Sequence, residues 1–172
     1  MIFLSIGSNL PSNNSSREKN IKTTIKMLEE NNIKKIKCSS YYETPSYPDK
    51  KNPKFINVIL QINFSNNPYK LLEKIAIIEK KMGRIRKKTN EPRTCDIDII
   101  DFKQMVIKTK KLILPHPRLS NRNFVLYPLK EIYSEWKHPI SKKNVDILIK
   151  NLNINLRNEI TKMNESDIFI KE

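Results

Sequence analysis

Glycine is almost absent from this chain: Gly7 and Gly83 are the only two among 172 residues. The loops that hold phosphate through backbone N–H groups, in P-loop enzymes and in dinucleotide-binding folds, need several glycines at fixed short spacing. Neither loop can be assembled from two glycines that lie far apart. Any phosphate that this chain binds must therefore be held by cationic side chains or metal ions.

Cysteine and long apolar runs are also scarce. Cys38 and Cys95 fall inside strand-like runs without the spacing of a metal site, which predicts reduced core thiols in a cytosolic protein. No apolar run approaches the ~20 residues that a membrane span needs. The first residues, MIFLSIGSNLPS, carry no basic leader and no small-residue cleavage site, so they predict a strand and not a signal peptide. We expect a cytoplasmic protein that binds no membrane.

Positive charge, in contrast, is abundant. The net charge of +15 is compatible with a nucleic acid, an acidic surface or a phosphorylated small substrate as partner. The chain contains 26 Lys but only 7 Arg, together with 26 Ile and 20 Asn. This joint excess indicates a compositional bias, in which Lys fills ordinary exposed positions. The few Arg are therefore more informative, and five of them lie between positions 84 and 122: Arg84, Arg86, Arg93, Arg118 and Arg122.

Periodic segments predict strands and helices along most of the chain. Strands are predicted at 2–6, 33–42, 55–64 and 94–102, a hairpin at 105–117, and helices after Ser16, from Pro68 to Gly83, near 121–132 and in VDILIKNL. The order β-α-β-β-α-β, with additions, predicts a single α+β domain over residues 1–172, with helices on one face of an antiparallel sheet. The proline-containing loop 44–54 is long enough to be functional. The tail after about residue 152 is expected to be loosely ordered.

Two aspartates lie on one predicted strand, TCDIDIIDF. Asp96 and Asp98 are two residues apart, so both carboxylates project from one face, about 7 Å apart along the strand. Alternation places Ile97, Ile99 and Asp101 on the opposite face. Two parallel carboxylates suit one or two hard cations, and Mg²⁺ commonly takes one or two carboxylates together with substrate phosphates. Alternatively, Asp96 and Asp98 are ordinary residues on a solvent-exposed strand face, since so short a pattern carries little information.

The segment before this strand, GRIRKKTNEPR, is strongly basic. Arg84, Arg86, Lys87 and Arg93 could clamp phosphate oxygens, the Arg side chains bidentately. A polyphosphate bridged by Mg²⁺ on the two carboxylates would explain why opposite charges lie side by side. Alternatively, this basic segment is only a solvent-exposed run of charged residues, as is common in a chain so rich in Lys.

A lone histidine lies in the segment LPHPRLSNRNF. His116 is flanked by two prolines that stiffen its backbone. A loop histidine is most often an ordinary surface residue, but Arg118 and Arg122 close by favour a phosphate contact.

Five segments, in this order and spacing, carry a resemblance to a known family: SIGSNL, YYETPSY, FINVILQI, GRIRKKTNEPRTCDIDII and LPHPRLSNRNFVLYPLKEI. They resemble the 6-hydroxymethyl-7,8-dihydropterin pyrophosphokinases of folate biosynthesis. The resemblance implies a ferredoxin-like α+β fold and a monomer. It also implies transfer of the β,γ-pyrophosphoryl group of ATP to the hydroxymethyl oxygen of the pterin, with release of AMP and without any nucleic acid partner.

The resemblance further implies a role for individual residues. Asp96 and Asp98 would bind two Mg²⁺ ions, while Arg84 and Arg93 would stabilise the transferring group. The remaining implied roles are ATP binding by Glu79, Arg86, Lys87, His116 and Arg122, and pterin binding by Thr44, Pro45, Phe55, Asn57 and Phe124. The segment KKTNEPR departs from the family pattern in length and composition, which we expect to alter loop closure or product release more than chemistry.

Three other functions are alternatives to pyrophosphoryl transfer. An RNA-binding RRM needs glycine and aromatic residues in its central strands, which FINVILQINF and TCDIDIIDF do not supply. A metal-dependent nuclease or nucleotidyltransferase predicts a third carboxylate, for which Glu79 is the best candidate because Asp101 is expected on the other face. A catalytically inactive relative is disfavoured because the residues implied to bind metal and phosphate are present.

Overall fold

The computed structural model describes residues 1–11, 15–47, 49–83 and 92–164. The elements follow in the order β1 (Ile2–Ser8), α1 (Arg17–Glu30), β2 (Lys34–Cys38), β3 (Tyr42–Thr44), β4 (Phe55–Asn63), α2 (Pro68–Lys81), β5 (Asp96–Phe102), β6 (Ile107–Lys108), β7 (Ile113–Leu114), a 3₁₀ turn (Leu119–Asn121), α3 (Asn123–Ile132), α4 (Val145–Asn151), α5 (Ile154–Asn158) and β8 (Thr161–Lys162). Within these ranges no helix has both the length and the apolar character to cross a bilayer.

Six of the described strands form one antiparallel sheet. Its order is β5-β1-β4-β3-β8, and β2 pairs with β4 further along the same edge. Strands β6 and β7 form a separate hairpin. All seven residues of β1 are buried, as expected for a strand that has a partner on each side and neighbours on both faces. The sequence prediction of an α+β fold with an antiparallel sheet is confirmed.

The helices cover both faces of the sheet. On one face, α1 and α2 enclose an apolar cluster that includes Leu4 and Ile97. On the other face, α3 and α4 enclose a second cluster that includes Phe3, Ile59 and Ile100. The prediction of helices on one face only is therefore wrong, because the additions after β7 fold back onto the opposite face. They cover only part of it, and the uncovered part forms the cavity described below.

The predicted starts of the two long helices are confirmed by their N-caps. The hydroxyl of Ser16 accepts a hydrogen bond from the backbone N–H of Lys19 (3.2 Å) at the start of α1. The side chain of Asn67 caps α2 in the same way, with Pro68 in the first turn. Gly83 follows α2 with φ +79°, a left-handed conformation that a residue without Cβ adopts at little cost.

A bulge in β5 changes the alternation predicted for the strand. Asp98 pairs with Ser5, but Asp101 pairs with Phe3, because the register shifts by one residue between Phe3 and Leu4. Asp101 therefore returns to the sheet face of Asp96 and Asp98. The expectation that it points to the opposite face is wrong, since simple alternation fails across a bulge.

Asp101 has a structural role and does not join Asp96 and Asp98 as a third carboxylate of the site. Its side chain is 1% exposed. The carboxylate accepts hydrogen bonds from the indole N–H of Trp136 (2.8 Å), the backbone N–H of Gln104 (2.9 Å) and the Gln104 side chain (2.6 Å). These bonds tie the bulge to the loop after α3.

The two cysteines lie in different environments. Cys95 is buried and accepts a hydrogen bond from the Thr24 hydroxyl (3.3 Å), as a core thiol would. Cys38 lies on the exposed edge strand β2, so the prediction of a core thiol is wrong there.

The tail contains more structure than its polar sequence suggests. After α4, residues 154–158 form α5 and residues 161–162 form β8, which pairs with β3. A helix and a strand thus occur in the part of the chain, after about residue 152, that we expected to be loosely ordered. Residues 165–172 lie outside the described residues.

Substituting Asp101→Asn should destabilise the fold by about 1–3 kcal/mol, because the new amide N–H₂ faces the Trp136 and Gln104 donors and leaves a buried polar group unsatisfied. Urea unfolding followed by circular dichroism measures the change. The matched control is Asp146→Asn, which removes an exposed ion pair with Lys130 and should cost less than about 1 kcal/mol. Equal losses in the two variants would contradict a structural role for the buried carboxylate.

Candidate functional site

A cavity of about 860 Å³ opens on the part of the sheet face that α3 and α4 leave uncovered. Strands β1, β4 and β5 form its floor, and the loop before β4, the segment before α3 and the tail form its sides. The sequence-predicted residues that line it are Thr44, Pro45, Phe55, Asn57, Arg93, Asp96, Asp98, Arg122 and Phe124. The fold thus brings together residues that lie far apart in the sequence.

Gly7 lies at the centre of the floor, between the two halves of the site. It pairs with Asn57 of β4 on one side and with Asp96 of β5 on the other. A Cβ atom at this position would lie 2.9 Å from the Asn57 side-chain oxygen. The close packing of the Asn57 carboxamide over β1 therefore requires glycine. The sequence offered no reason to place Gly7 in a site, because the register between strands is not visible in the sequence.

The β4 side of the cavity carries amide and aromatic groups. Asn57 is 3% exposed and donates a hydrogen bond to the Thr44 hydroxyl (3.2 Å), which fixes its carboxamide. Phe55 lies on the same face of β4, two residues earlier, and Phe124 lies in the first turn of α3. Two aromatic rings and one oriented carboxamide suit a flat, hydrogen-bonding heterocycle.

The β5 side of the cavity carries charge. A guanidinium nitrogen of Arg93 lies 2.8 Å from the Asp96 carboxylate, and one of Arg122 lies 2.7 Å from the Asp98 carboxylate. Each guanidinium also lies over one of the aromatic rings: Arg93 is 5.4 Å from the centroid of Phe55, and Arg122 is 5.3 Å from that of Phe124. The arginines therefore connect the acidic and the aromatic parts of the site.

The two carboxylates suit a cation that arrives with additional ligands. Their side chains are 20% and 31% exposed, so the cavity can reach them. Among the described residues, no group of three or more His, Cys, Asp and Glu side chains is arranged to hold a metal ion. Mg²⁺ fits this donor set, since it takes one or two carboxylates and fills its shell with water and substrate phosphate oxygens. A nuclease-type third carboxylate at Asp101 is excluded by the hydrogen bonds described above.

His116 lies at the edge of the acidic pair. Burial lowers the pKa of His116 below its usual range, although the Asp98 carboxylate acts in the opposite direction. Its Nδ1 accepts a hydrogen bond from the backbone N–H of Arg118 (3.2 Å), which assigns the proton of the neutral ring to Nε2. That nitrogen lies 3.7 Å from Asp98. At neutral pH, His116 is therefore an uncharged hydrogen-bond donor aimed at the charged end of the site.

A smaller cavity of about 140 Å³ adjoins the site on the other side of His116 and Asp98. Most of its lining is apolar, from α2, β5 and the β6–β7 hairpin. Glu79 also lines it, and this buried carboxylate accepts a hydrogen bond from the backbone N–H of Ile97 (2.9 Å). Glu79 thus lies beside the smaller cavity and not in the larger one.

The remaining predicted residues are Arg84, Arg86 and Lys87, which lie outside the described residues. Other cavity residues were not predicted from the sequence: Ser5, Gly7, Ser46, Tyr47, Lys50, Arg118, Asn121, Asn123, Leu156 and Glu159. Of these, Arg118 belongs to the arginine-rich stretch. The segments that carry the family resemblance contain six others, to which the resemblance assigned no individual role: Ser5, Gly7, Ser46, Tyr47, Asn121 and Asn123. The tail residues had no signal in the sequence, since nothing local places them beside β3 and α3.

Comparison with known proteins identifies relatives of similar length. Residues 3–134 match the family described as 7,8-dihydro-6-hydroxymethylpterin-pyrophosphokinase (HPPK). The chain is 34% identical over 145 residues to the 2-amino-4-hydroxy-6-hydroxymethyldihydropteridine pyrophosphokinase of Bacillus subtilis, covering 84% of each chain. It is 39% identical over 142 residues to the Aquifex aeolicus enzyme of the same name, covering 83% of this chain and 86% of that enzyme.

Other relatives are much longer. The Folic acid synthesis protein fol1 of Pneumocystis carinii is 35% identical over 140 residues, and the chain spans 18% of its length. The crystal structure of wild-type Plasmodium falciparum HPPK-DHPS has the same fold, with a TM-score of 0.68 at 19% identity, covering 94% of this chain and 44% of that one. The match to the family covers most of this chain and includes every strand of the cavity floor. The chain belongs to the 7,8-dihydro-6-hydroxymethylpterin-pyrophosphokinase family.

Proposed function

We propose that this chain transfers the β,γ-pyrophosphoryl group of ATP to the hydroxymethyl oxygen of 6-hydroxymethyl-7,8-dihydropterin and releases AMP. One observation carries the proposal: a single cavity holds a carboxylate pair with two arginines at one end and an amide with two aromatic rings at the other. The first set suits a polyphosphate and the second a pterin. The names of the bacterial relatives support the same reaction.

We propose that residues 1–172 form one ferredoxin-like domain that acts as a cytoplasmic monomer without nucleic acid. The strand order β5-β1-β4-β2, with α1 and α2 as the two crossovers, supports the ferredoxin-like topology. The small-molecule character of the cavity supports substrates the size of ATP and a pterin.

Asp96 and Asp98 would hold two Mg²⁺ ions. When bound, these ions would neutralise phosphate charge as Lewis acids and align the phosphate chain. The two residues would supply this pair of ligands because β5 places their carboxylates on one face, two positions apart. Their present partners, Arg93 and Arg122, balance the same negative charge.

The arginines would then move from the carboxylates to the substrate. Once a cation shares the carboxylate charge, the guanidinium groups of Arg93 and Arg122 can bind phosphate oxygens within reach of their side chains. Pyrophosphoryl transfer needs positioning and charge stabilisation more than covalent help, and bidentate arginines supply both. We assign Arg93 to the transferring group, together with Arg84, and Arg122 to ATP.

The base of ATP would occupy the smaller cavity. Its apolar lining suits a purine ring, and Glu79 and His116 lie beside it. The neutral His116 ring would donate a hydrogen bond from its Nε2–H group to the nucleotide without adding charge. Arg86 and Lys87 are predicted to bind the same nucleotide.

The pterin would occupy the β4 end of the large cavity. Phe55 and Phe124 would stack on its two faces, and Asn57 would pair with its amide edge. The backbone around Thr44 and Pro45 would complete that edge. The hydroxymethyl group would then face the charged end, as in-line attack requires.

The test is AMP formation from ATP after addition of 6-hydroxymethyl-7,8-dihydropterin, measured with and without Mg²⁺. We expect AMP only when the pterin and Mg²⁺ are both present. Asp98→Ala should abolish turnover, because one of the two carboxylate ligands is lost. Formation of ADP would indicate ordinary kinase chemistry, and pterin-independent hydrolysis would contradict the proposed transfer.

Substituting Arg93→Ala should lower the rate of the chemical step by roughly 10²-fold, because one preorganised charge on the transferring group is lost. The pterin dissociation constant should change only modestly. Rapid-quench kinetics of a single turnover separates the two quantities. The control variant Arg93→Lys keeps the charge without the bidentate fork and should lie between wild type and Ala. An effect on pterin affinity alone would overturn the assignment.

Substituting Gly7→Ala should raise the pterin dissociation constant by about tenfold. The new methyl group would displace the Asn57 carboxamide, and the bound pterin would lose about one hydrogen bond. ATP affinity should stay the same, which provides an internal control. Fluorescence titration with each ligand measures both constants. Equal losses for pterin and ATP would indicate general damage to the sheet and contradict a specific role at Asn57.

A further inference from the structure

Part of the cavity wall comes from a segment that the family match does not include. The match ends at residue 134, but Leu156 and Glu159 line the cavity together with the residues of the sheet. These two residues belong to α5 and the position that follows it. The tail therefore supplies part of the cavity wall.

The tail segment is held at both ends. On one side, Leu152 packs into the cluster under α3, and the Asn123 side chain donates a hydrogen bond to the backbone oxygen of Leu156 (2.6 Å). On the other side, β8 pairs with β3, and the Lys162 ammonium lies 3.0 Å from the Glu131 carboxylate. Residues 153–160, which include α5, are thus anchored on both sides, and two of them, Leu156 and Glu159, line the cavity.

An ion pair joins this wall to the loop on the opposite side of the cavity mouth. The Lys50 ammonium lies 2.5 Å from the Glu159 carboxylate, and both residues line the cavity. Lys50 belongs to the 45–54 loop, which lies between Thr44 and Phe55 of the proposed pterin site. The base of that loop is fixed by Asn9, whose amide donates to Ser46 Oγ (3.2 Å) and to the Pro53 oxygen (3.1 Å). Glu159 therefore holds the outer part of a loop whose base is already fixed.

We propose that the tail is a binding wall for the pterin and that Glu159 is a positioning residue that retains the bound pterin by holding Lys50 across the cavity mouth. The proposal rests on the proposed function, since it assigns the cavity to a pterin. Lys50 is 67% exposed and Glu159 29% exposed. Exposed pairs of this kind change equilibria by about two- to fivefold and weaken with salt. The pair thus adjusts residence time and does not decide whether binding occurs.

The experiment uses the full chain with Glu159→Gln, which keeps the shape of the side chain and removes its charge. The probe is 6-hydroxymethylpterin, the fluorescent oxidised form of the substrate, displaced by excess unlabelled ligand in a stopped-flow instrument. We expect release to be about two- to fivefold faster in low salt, with the difference reduced in high salt. The KM for pterin should rise by a similar factor, while kcat and ATP affinity should not fall.

Two further measurements isolate the ion pair. The double variant Lys50→Glu with Glu159→Lys should restore slow release, because it reverses both charges. The matched control is Lys54→Met, which removes a lysine from the same loop whose partner is Glu43 and not the tail, and it should leave release unchanged. Equal release rates for wild type and Glu159→Gln, or equal effects of Glu159→Gln and Lys54→Met, would overturn the proposal.

A measurement without pterin separates this proposal from the proposed function. Trypsin cleavage after Lys50 and Lys51 should be faster in Glu159→Gln than in wild type, because the loop has lost its tether. Unchanged cleavage together with normal pterin-dependent AMP formation would refute the tether and leave the proposed function standing. Faster cleavage without any pterin-dependent AMP would refute the proposed function and with it the assignment of the retained ligand.

Discussion

Repulsion between two carboxylates on one strand face is the constraint on which the rest of the site depends. Asp96 and Asp98 project together from β5, and like charges at this spacing need a cation nearby. Arg93 and Arg122 supply that charge in the structure, and Mg²⁺ is the proposed partner during the reaction. Both arginines also lie over aromatic rings of the proposed pterin site. A change at the carboxylates that moves an arginine therefore also changes the contacts of these rings.

The division of one sheet face between core and cavity gives these charges a rigid support. Phe3, Ile59 and Ile100 are covered by α3 and α4, whereas Gly7 and Asn57 further along the same strands line the cavity. The same strands thus serve stability at one end and binding at the other. The bulge in β5 lies between the two regions, and the buried carboxylate of Asp101 stabilises it through Trp136 and Gln104. Such a floor keeps the carboxylates and the Asn57 amide in fixed relative positions, which the proposed in-line transfer requires.

The sides of the cavity differ from its floor because they are built from loops and the tail. The 45–54 loop is tied to β1 by Asn9, and the same side chain accepts a hydrogen bond from the backbone N–H of Arg93 (2.7 Å). The buried side chain of Asn9 therefore connects the loop of the proposed pterin site to the segment before β5, which carries the proposed catalytic residue Arg93. The contact between Lys50 and Glu159 adds an exposed and weaker link on the outer side. Strong links near the floor and weak links at the mouth are what a cavity that must admit and release ligands needs.

The sequence by itself determined the chemistry that is available and most of the local structure. Two glycines exclude a phosphate loop, the spacing of Asp96 and Asp98 predicts a shared face, and Ser16 and Pro68 mark helix starts that the structure confirms. These features are readable because helix caps and strand alternation depend on residues only a few positions apart. Only the tertiary structure decided that Gly7 lies between Asn57 and Asp96, that Asp101 returns to their face, that helices cover both faces, and that Glu159 reaches the cavity. The reason is physical: strand register, bulges and tail docking are set by packing between distant segments, and no local pattern encodes which partners will meet.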